Sequence, residues 1–187
     1  LDQLGHQTCG AVWLPDPGSE ASANAALLTP SVQLPLIMIV EYALAQLWIS
    51  WGIKPAALVG HSMGENTAAC LAGVLGFEDC IDLVHLRGQL FDTVDPGGML
   101  SISLPLAEVE ALIGTDLDIA SVNAPELTAV SGPNAALDAL AETLRARDVE
   151  FQRIPIDIAA HSRMLEPILT QYGDFLRKLD LKPATLP

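Results

Sequence analysis

Residues 56–74 read AALVGHSMGENTAACLAGV. The first four are an apolar run of strand length, Gly60-His61-Ser62-Met63-Gly64 follows, and an alanine-rich segment that reads as a helix comes next. Strand, G-x-S-x-G and helix in that order form the setting of a nucleophile elbow, in which a serine is carried on a very sharp strand-to-helix turn. Such a turn strains the serine backbone and crowds the positions two residues away, so small residues are needed there, and Gly60 and Gly64 supply them. The turn also aims the first backbone N–H groups of the helix, that of Met63 included, at any anion that forms on Ser62.

Outward from this motif, composition limits the classes of protein. At 187 residues the chain is long enough for one sizeable core, or for a core with a small inserted subdomain. Half of it is hydrophobic, as in a globular chain. The formal net charge of −14 argues against nucleic acid or an anionic membrane as partner of the bulk surface. Cys9, Cys70 and Cys80 have no metal-ligand spacing and read as free thiols in a reducing, cytoplasmic compartment. No basic, apolar and small-residue leader opens the sequence. The apolar stretch 34–49 is interrupted by Pro35, Glu41 and Gln46, is short for a bilayer span, and reads as a buried helix.

In chain order, 1–25 is loosely patterned, with a turn at Pro15-Asp16-Pro17-Gly18-Ser19. A long apolar helix is predicted over 32–51, the elbow strand over 56–59, and a helix over 77–93 after the break at Gly76. From 97 the order becomes strand (99–104), helix (105–113), strands (119–122 and 128–130), helix (133–147) and strand (151–156), a ferredoxin-like pattern placed as an insertion. A last helix is predicted over about 163–179. The expected fold is therefore α/β: a hydrolase-like core with a parallel sheet and an inserted ferredoxin-like α+β subdomain. The core would comprise 1–96 and 157–187, and the insertion 97–156.

A serine hydroxyl needs a base beside it to act as a nucleophile. Of the four histidines, His61 lies inside the elbow and points away when Ser62 points up. His6 sits in the irregular start, and His85 on an apolar helix face reads as structural. His161 follows a strand and a small-residue turn just before a helix, where a βα-loop side chain reaches the ligand side of a parallel sheet. It is the favoured base. Arg87 stands on an otherwise apolar helical stretch, 83–88, with few carboxylates near it in sequence. A surface arginine in a last turn is the plain reading; a carboxylate held by the guanidinium fork is the functional one.

Taken together, Gly60-His61-Ser62-Met63-Gly64-Glu65, Leu71-Ala72-Gly73-Val74 and Leu86-Arg87-Gly88 resemble the malonyl-CoA:acyl carrier protein transacylase family. The likeness runs on through Gly97-Gly98-Met99, Val122-Asn123-Ala124-Pro125, Val130-Ser131-Gly132-Pro133, His161-Ser162 and Glu166-Pro167-Ile168. In these details it is nearest to the acyltransferase domains of modular type I polyketide synthases. The resemblance implies that Ser62 takes an acyl group from CoA as an ester, and that His161 activates first Ser62 and then the phosphopantetheine thiol of an acyl carrier protein. It also implies that Arg87 holds the free carboxylate of a malonyl or methylmalonyl unit, that Met63 N–H supplies half of an oxyanion hole, and that Gln33 and Asn123 lie near the pocket or serve structural hydrogen bonds. No metal or redox cofactor is implied. The partners would be the carrier protein and neighbouring synthase domains such as a ketosynthase.

The family often carries His-Ala-Phe-His before the base in malonyl users and Tyr-Ala-Ser-His in methylmalonyl users. Here Ile158-Ala159-Ala160-His161 matches neither; Ala160 leaves room for an α-methyl group, while Ile158 lacks the tyrosine hydroxyl. Asn66 stands where an aromatic residue is common. The family's N-terminal strand, its glutamine-bearing turn and its C-terminal strand have no counterpart in these 187 residues, which are accordingly expected to be feeble or inactive alone. The loss of one oxyanion donor costs about 3 kcal/mol in a hydrolase. A serine hydrolase or thioesterase is the rival enzyme, with Asp116, Asp118 or Asp157 as its acid, and an inactive fragment of a megasynthase is the non-catalytic rival. The hydrolase reading gives Arg87 and the ferredoxin-like insertion no task.

Overall fold

The computed structural model describes residues 7–187, with side chains from residue 10 onward. His6 and the Cys9 side chain, expected as a loop residue and a free thiol, lie outside the described residues. Contacts divide the chain into two compact units, one formed by residues up to Asp92 with Thr170–Pro187, the other by Thr93–Leu169.

The first unit is helical. Its opening stretch is more regular than its loose pattern suggests, with α1 (Gln7–Trp13) and α2 (Glu20–Ala26) on either side of the expected turn. Ser19 Oγ donates to the Asp16 carbonyl at 2.7 Å and Gly18 N–H to the Glu20 carboxylate at 2.9 Å, which shapes that turn. The long helix is α3 (Pro30–Ser50). Extended Thr29 precedes it, and Pro30 fills the first position, where a missing N–H costs nothing. The elbow helix α4 (Gly64–Leu71) and α5 (Phe77–Phe91) pack with α3 around Met38, Cys80, Ile81, Leu83 and Val84. At the crossing of α3 and α5, Gly88 lets the backbones touch: a Cβ there would lie 2.5 Å from Ser31 Cα. α8 (Leu169–Leu176) adds Tyr172 and Phe175 to this core.

Two expectations for α3 are corrected. With 21 residues it rises about 30 Å, long and apolar enough by length and composition to cross a membrane. Nor is it buried throughout: Pro35, Leu36 and Met38 are, whereas Leu44, Leu47, Trp48 and Ile49 are exposed. The reason is that apolar residues surround the whole helix, while within this unit the packing of α5 covers one side of it.

The second unit is built on β1 (Gly97–Ile102), α6 (Leu106–Glu110), β2 (Asp118–Ala124), β3 (Leu127–Pro133), α7 (Asn134–Ala146) and β4 (Phe151–Ile154). Its sheet runs β2-β3-β1-β4, every neighbouring pair antiparallel. Helical spacing places Leu137, Leu140, Ala141 and Leu144 of α7 on one stripe, which closes over Leu100, Ile102 and Val130.

Three further differences from the sequence reading are physical. The segment 56–59 forms no ladder, because a strand exists only through a neighbour that takes its backbone hydrogen bonds; Leu58 N–H does donate to the Pro187 carbonyl at 2.8 Å. Among the described residues there is accordingly no parallel pair of strands. The helix predicted over 163–179 is split into a 3-10 helix, Arg163–Ile168, and α8, because Pro167 has no N–H to give an α-helical bond. Residues 157–169, expected with the core, cluster with the sheet unit.

Candidate active site

The helical unit carries Ser62. Its φ of 52° lies in the left-handed region that a side chain with a Cβ disfavours, as the elbow reading requires. Gly60 permits the bend: a Cβ on it would stand 2.3 Å from Glu65 N and 2.4 Å from Glu65 Cα. Gly64 has nothing within 4 Å of such a Cβ, so only one of the two glycines is there for room. Turn bonds from Gly64, Glu65 and Asn66 N–H to the carbonyls of His61, Ser62 and Met63, each 3.1 Å, wind the elbow into α4. Met63 is the residue just before α4, at a helix start, where backbone N–H groups have no acceptor within the helix. His61 is exposed and Ser62 half-buried.

The elbow helix is anchored from two sides. Thr67 Oγ1 donates to Glu41 Oε2 of α3 at 2.5 Å, and Cys80 Sγ of α5 to the Asn66 carbonyl at 3.4 Å. Cys70 and Cys80 are free and buried, and burial above all raises both thiols, Cys80 to about 12. They are protonated packing groups rather than nucleophiles. The closing segment holds the elbow's flanks as well, through Lys182 N–H to the Val74 carbonyl and Thr185 N–H to that of Ala72, both 2.8 Å.

Arg87 is half-buried on α5, its Cζ 5.2 Å from the centroid of the Phe91 ring. No carboxylate among the described residues lies within ion-pair distance of it. Tyr172 of α8 is near enough to feel its charge; burial pushes the phenol up, and the guanidinium partly offsets that. Phe91 and Tyr172 were not singled out from sequence, although the four-residue step from Arg87 to Phe91 is the spacing of helix neighbours. Gln33 lines a cleft of about 740 Å³ with Trp13, Glu20, Leu36 and Glu41, and no elbow residue or Arg87 borders it.

The sheet unit carries His161, exposed at a φ of 60° on the bend after β4. Ile158, Ala159 and Ala160 before it are buried. Ser162 Oγ donates to the Ala159 carbonyl at 2.7 Å and accepts from Met164 N–H at 3.2 Å, tying the bend to the 3-10 helix. Asn123 is exposed near the end of β2, where the pairing with β3 shifts register. Of the acids considered for a hydrolase triad, Asp118 is committed elsewhere, to Arg163.

The sequence profile of the acyl transferase domain matches residues 21–187. The chain belongs to that family. It is 41% identical over 159 residues to the polyketide synthase GfsA of Streptomyces halstedii, an alignment covering 82% of this chain and 2% of that synthase. The acyltransferase domain of ZmaA superposes with a TM-score of 0.85 at 32% identity, covering all of this chain and 45% of that one. A malonyl CoA-acyl carrier protein transacylase from Clostridium perfringens has the same fold, with a TM-score of 0.83 at 22% identity over 98% of this chain and 59% of its own. The chain thus has an α/β acyltransferase fold, and spans less than half the length of the ZmaA domain chain.

Proposed function

We propose that this chain takes part in moving a malonyl-type unit, malonyl or methylmalonyl, from CoA to the phosphopantetheine thiol of an acyl carrier protein. The observation that carries the reading is Ser62, held in left-handed backbone on a G-x-S-x-G bend with no room for a Cβ at Gly60. In this scheme Ser62 Oγ attacks the thioester carbonyl as His161 accepts its proton. The oxyanion is met by Met63 N–H, and CoA leaves as the thiol, taking a proton from the imidazolium. The carrier-protein thiol then repeats the cycle against the Ser62 ester.

Arg87 narrows the substrate. A half-buried guanidinium with an aromatic neighbour and, among the described residues, no carboxylate within ion-pair distance suits the free carboxylate of a dicarboxylic acyl group. A hydrolase would have no use for it. We read the β-α-β-β-α-β unit as the ferredoxin-like insertion, bearing the base on its return to the core. Asn123, Ile158 and Ala160 belong to the sheet unit, and His61 and Gln33 to the helical unit. The working protein is a cytoplasmic synthase whose ketosynthase and carrier protein are the partners, and neither metal nor redox cofactor enters the scheme.

Intact-mass measurement after incubation with malonyl-CoA or methylmalonyl-CoA tests this. One carboxyacyl group is expected on Ser62 and none on Ser62→Ala. In Arg87→Ala the carboxyacyl adduct should fall at least tenfold, while acetyl-CoA loads as well as before or better. Equal loading of both acyl types by the wild type and Arg87→Ala would refute the role of Arg87. Absence of any adduct in the intact protein would refute the transfer reading.

A further inference from the structure

The sheet unit holds an ion pair that the scheme above does not use. Asp118, the first residue of β2, accepts four hydrogen bonds from Arg163. The backbone N–H reaches Oδ2 at 2.9 Å, Nε reaches the two oxygens at 3.0 and 3.1 Å, and Nη2 reaches Oδ1 at 2.5 Å. Arg163 lies two residues beyond His161, and the bend between them contains the left-handed backbone of His161 itself. Asp118 is joined to the sheet: it pairs with Ser131 of β3, a fully buried residue whose Oγ donates to the Gly98 carbonyl at 3.3 Å.

From this geometry we infer that Asp118 is a positioning residue for His161, acting through Arg163. The inference rests on His161 being the base proposed above. Two considerations separate it from a plain surface ion pair. Arg163 is 60% exposed, and an exposed pair of that kind contributes little to stability. Yet this one includes a main-chain N–H and both oxygens of the carboxylate, so it fixes the path of the backbone as well as the place of a side chain. The bonds of Ser162 to Ala159 and Met164 curl the bend upon itself, whereas the Asp118 clamp ties it to a strand. A non-glycine residue at positive φ persists only where its surroundings over-determine it, and these two sets of bonds supply that constraint.

The test uses Asp118→Ala, Arg163→Ala, the double variant and the conservative Asp118→Glu in the intact protein. Ser62 loading is followed in single turnover over a range of malonyl-CoA, and ¹⁵N relaxation is recorded across 159–164. Each alanine variant is expected to load about ten- to a hundredfold more slowly. Its half-saturating malonyl-CoA should stay within twofold, and the double variant should be no slower than either single one. Asp118→Glu should recover part of the rate. The order parameter of His161 should fall in both alanine variants from a rigid value toward about 0.6, while the melting temperature moves by only a degree or two. An unchanged order parameter in a folded Asp118→Ala would overturn the inference whatever the activity. So would a weaker affinity for malonyl-CoA in Arg163→Ala alone, which would make Arg163 a ligand contact. His161→Ala separates the two readings: if it loads normally, the base assignment fails. If it is dead while Asp118→Ala is normal, only the clamp's role fails.

Discussion

Ser62 and Gly60 divide the work of the elbow between them. The serine carries the strain, at a φ of 52°, and the glycine makes room for the chain to double back against Glu65. A methyl group at 60 would meet backbone atoms, which cannot rotate aside as a side chain does. Gly60→Ala is expected to cost about 1–3 kcal/mol or more, as overpacking does, and to abolish Ser62 acylation. Gly64→Ala, at the first helical position with open space around it, should stay within about 1 kcal/mol of the wild type. Urea unfolding of the pair reads the difference. Equal stability of the two variants would mean that the turn is not held as tightly as its geometry indicates.

Between elements, the decisive contact is the one α3 makes with α5. Gly88 brings the α5 backbone against Pro30 and Ser31, at the very start of α3. The next turn of α5 presents Phe91, and the residue before Gly88 is Arg87. The approach that stabilises this pair of helices therefore also sets where the guanidinium stands. Gly88→Ala should lower stability by about 1–3 kcal/mol by urea unfolding, because Ser31 Cα and the Pro30 carbonyl cannot yield. Carboxyacyl loading should decline more than acetyl loading as Arg87 is displaced. A variant with unaltered stability would show that the helices can part at no cost.

Asp118 of the sheet unit and Cys80 of the helical unit are shifted in opposite directions. In the sheet unit, the hydrogen bonds from Arg163 hold the Asp118 carboxyl below its ordinary value. The stability this contributes is present above the unfolded value of about 4 and is lost as pH falls through the folded one. Arg163 is largely exposed, so the effect is modest. In the helical unit, burial, with Cys70 and Asp79 adding to it, pushes Cys80 up to about 12. A raised thiol contributes stability that is complete below the unfolded value near 9 and is lost toward 12, because above 9 the unfolded chain releases a proton the folded one keeps. Trp13, Trp48 and Trp51 all lie in the helical unit, so tryptophan fluorescence reports on that unit. Its melting temperature is expected to decline on raising the pH above 9, and Cys80→Ala should flatten that decline whatever it costs at neutral pH. A slope unchanged in Cys80→Ala would assign the alkaline loss to other groups.

Much of this was legible in the linear chain because it is encoded locally. The G-x-S-x-G bend, the helical stripe of α7 and the start of α5 behind Gly76 each depend on residues a few positions apart, and each is where periodicity and turn chemistry put it; β1, expected over 99–104 from alternation, lies two residues earlier and is buried almost throughout. The break of the last helix is equally local, since Pro167 stands in the sequence and brings no N–H to an α-helical bond. What sequence by itself determined, then, was the bend at Ser62, the order of elements from β1 to β4 and the family. Tertiary structure alone decided the rest: that 56–59 lacks a ladder, that Gly60 rather than Gly64 is pressed for space, and that Gly88 meets Ser31. It also decided that Asp118 clamps a residue 45 positions away. The reason is the same in each case: a contact between distant residues depends on where the chain returns, and no pattern confined to a few neighbours carries that information.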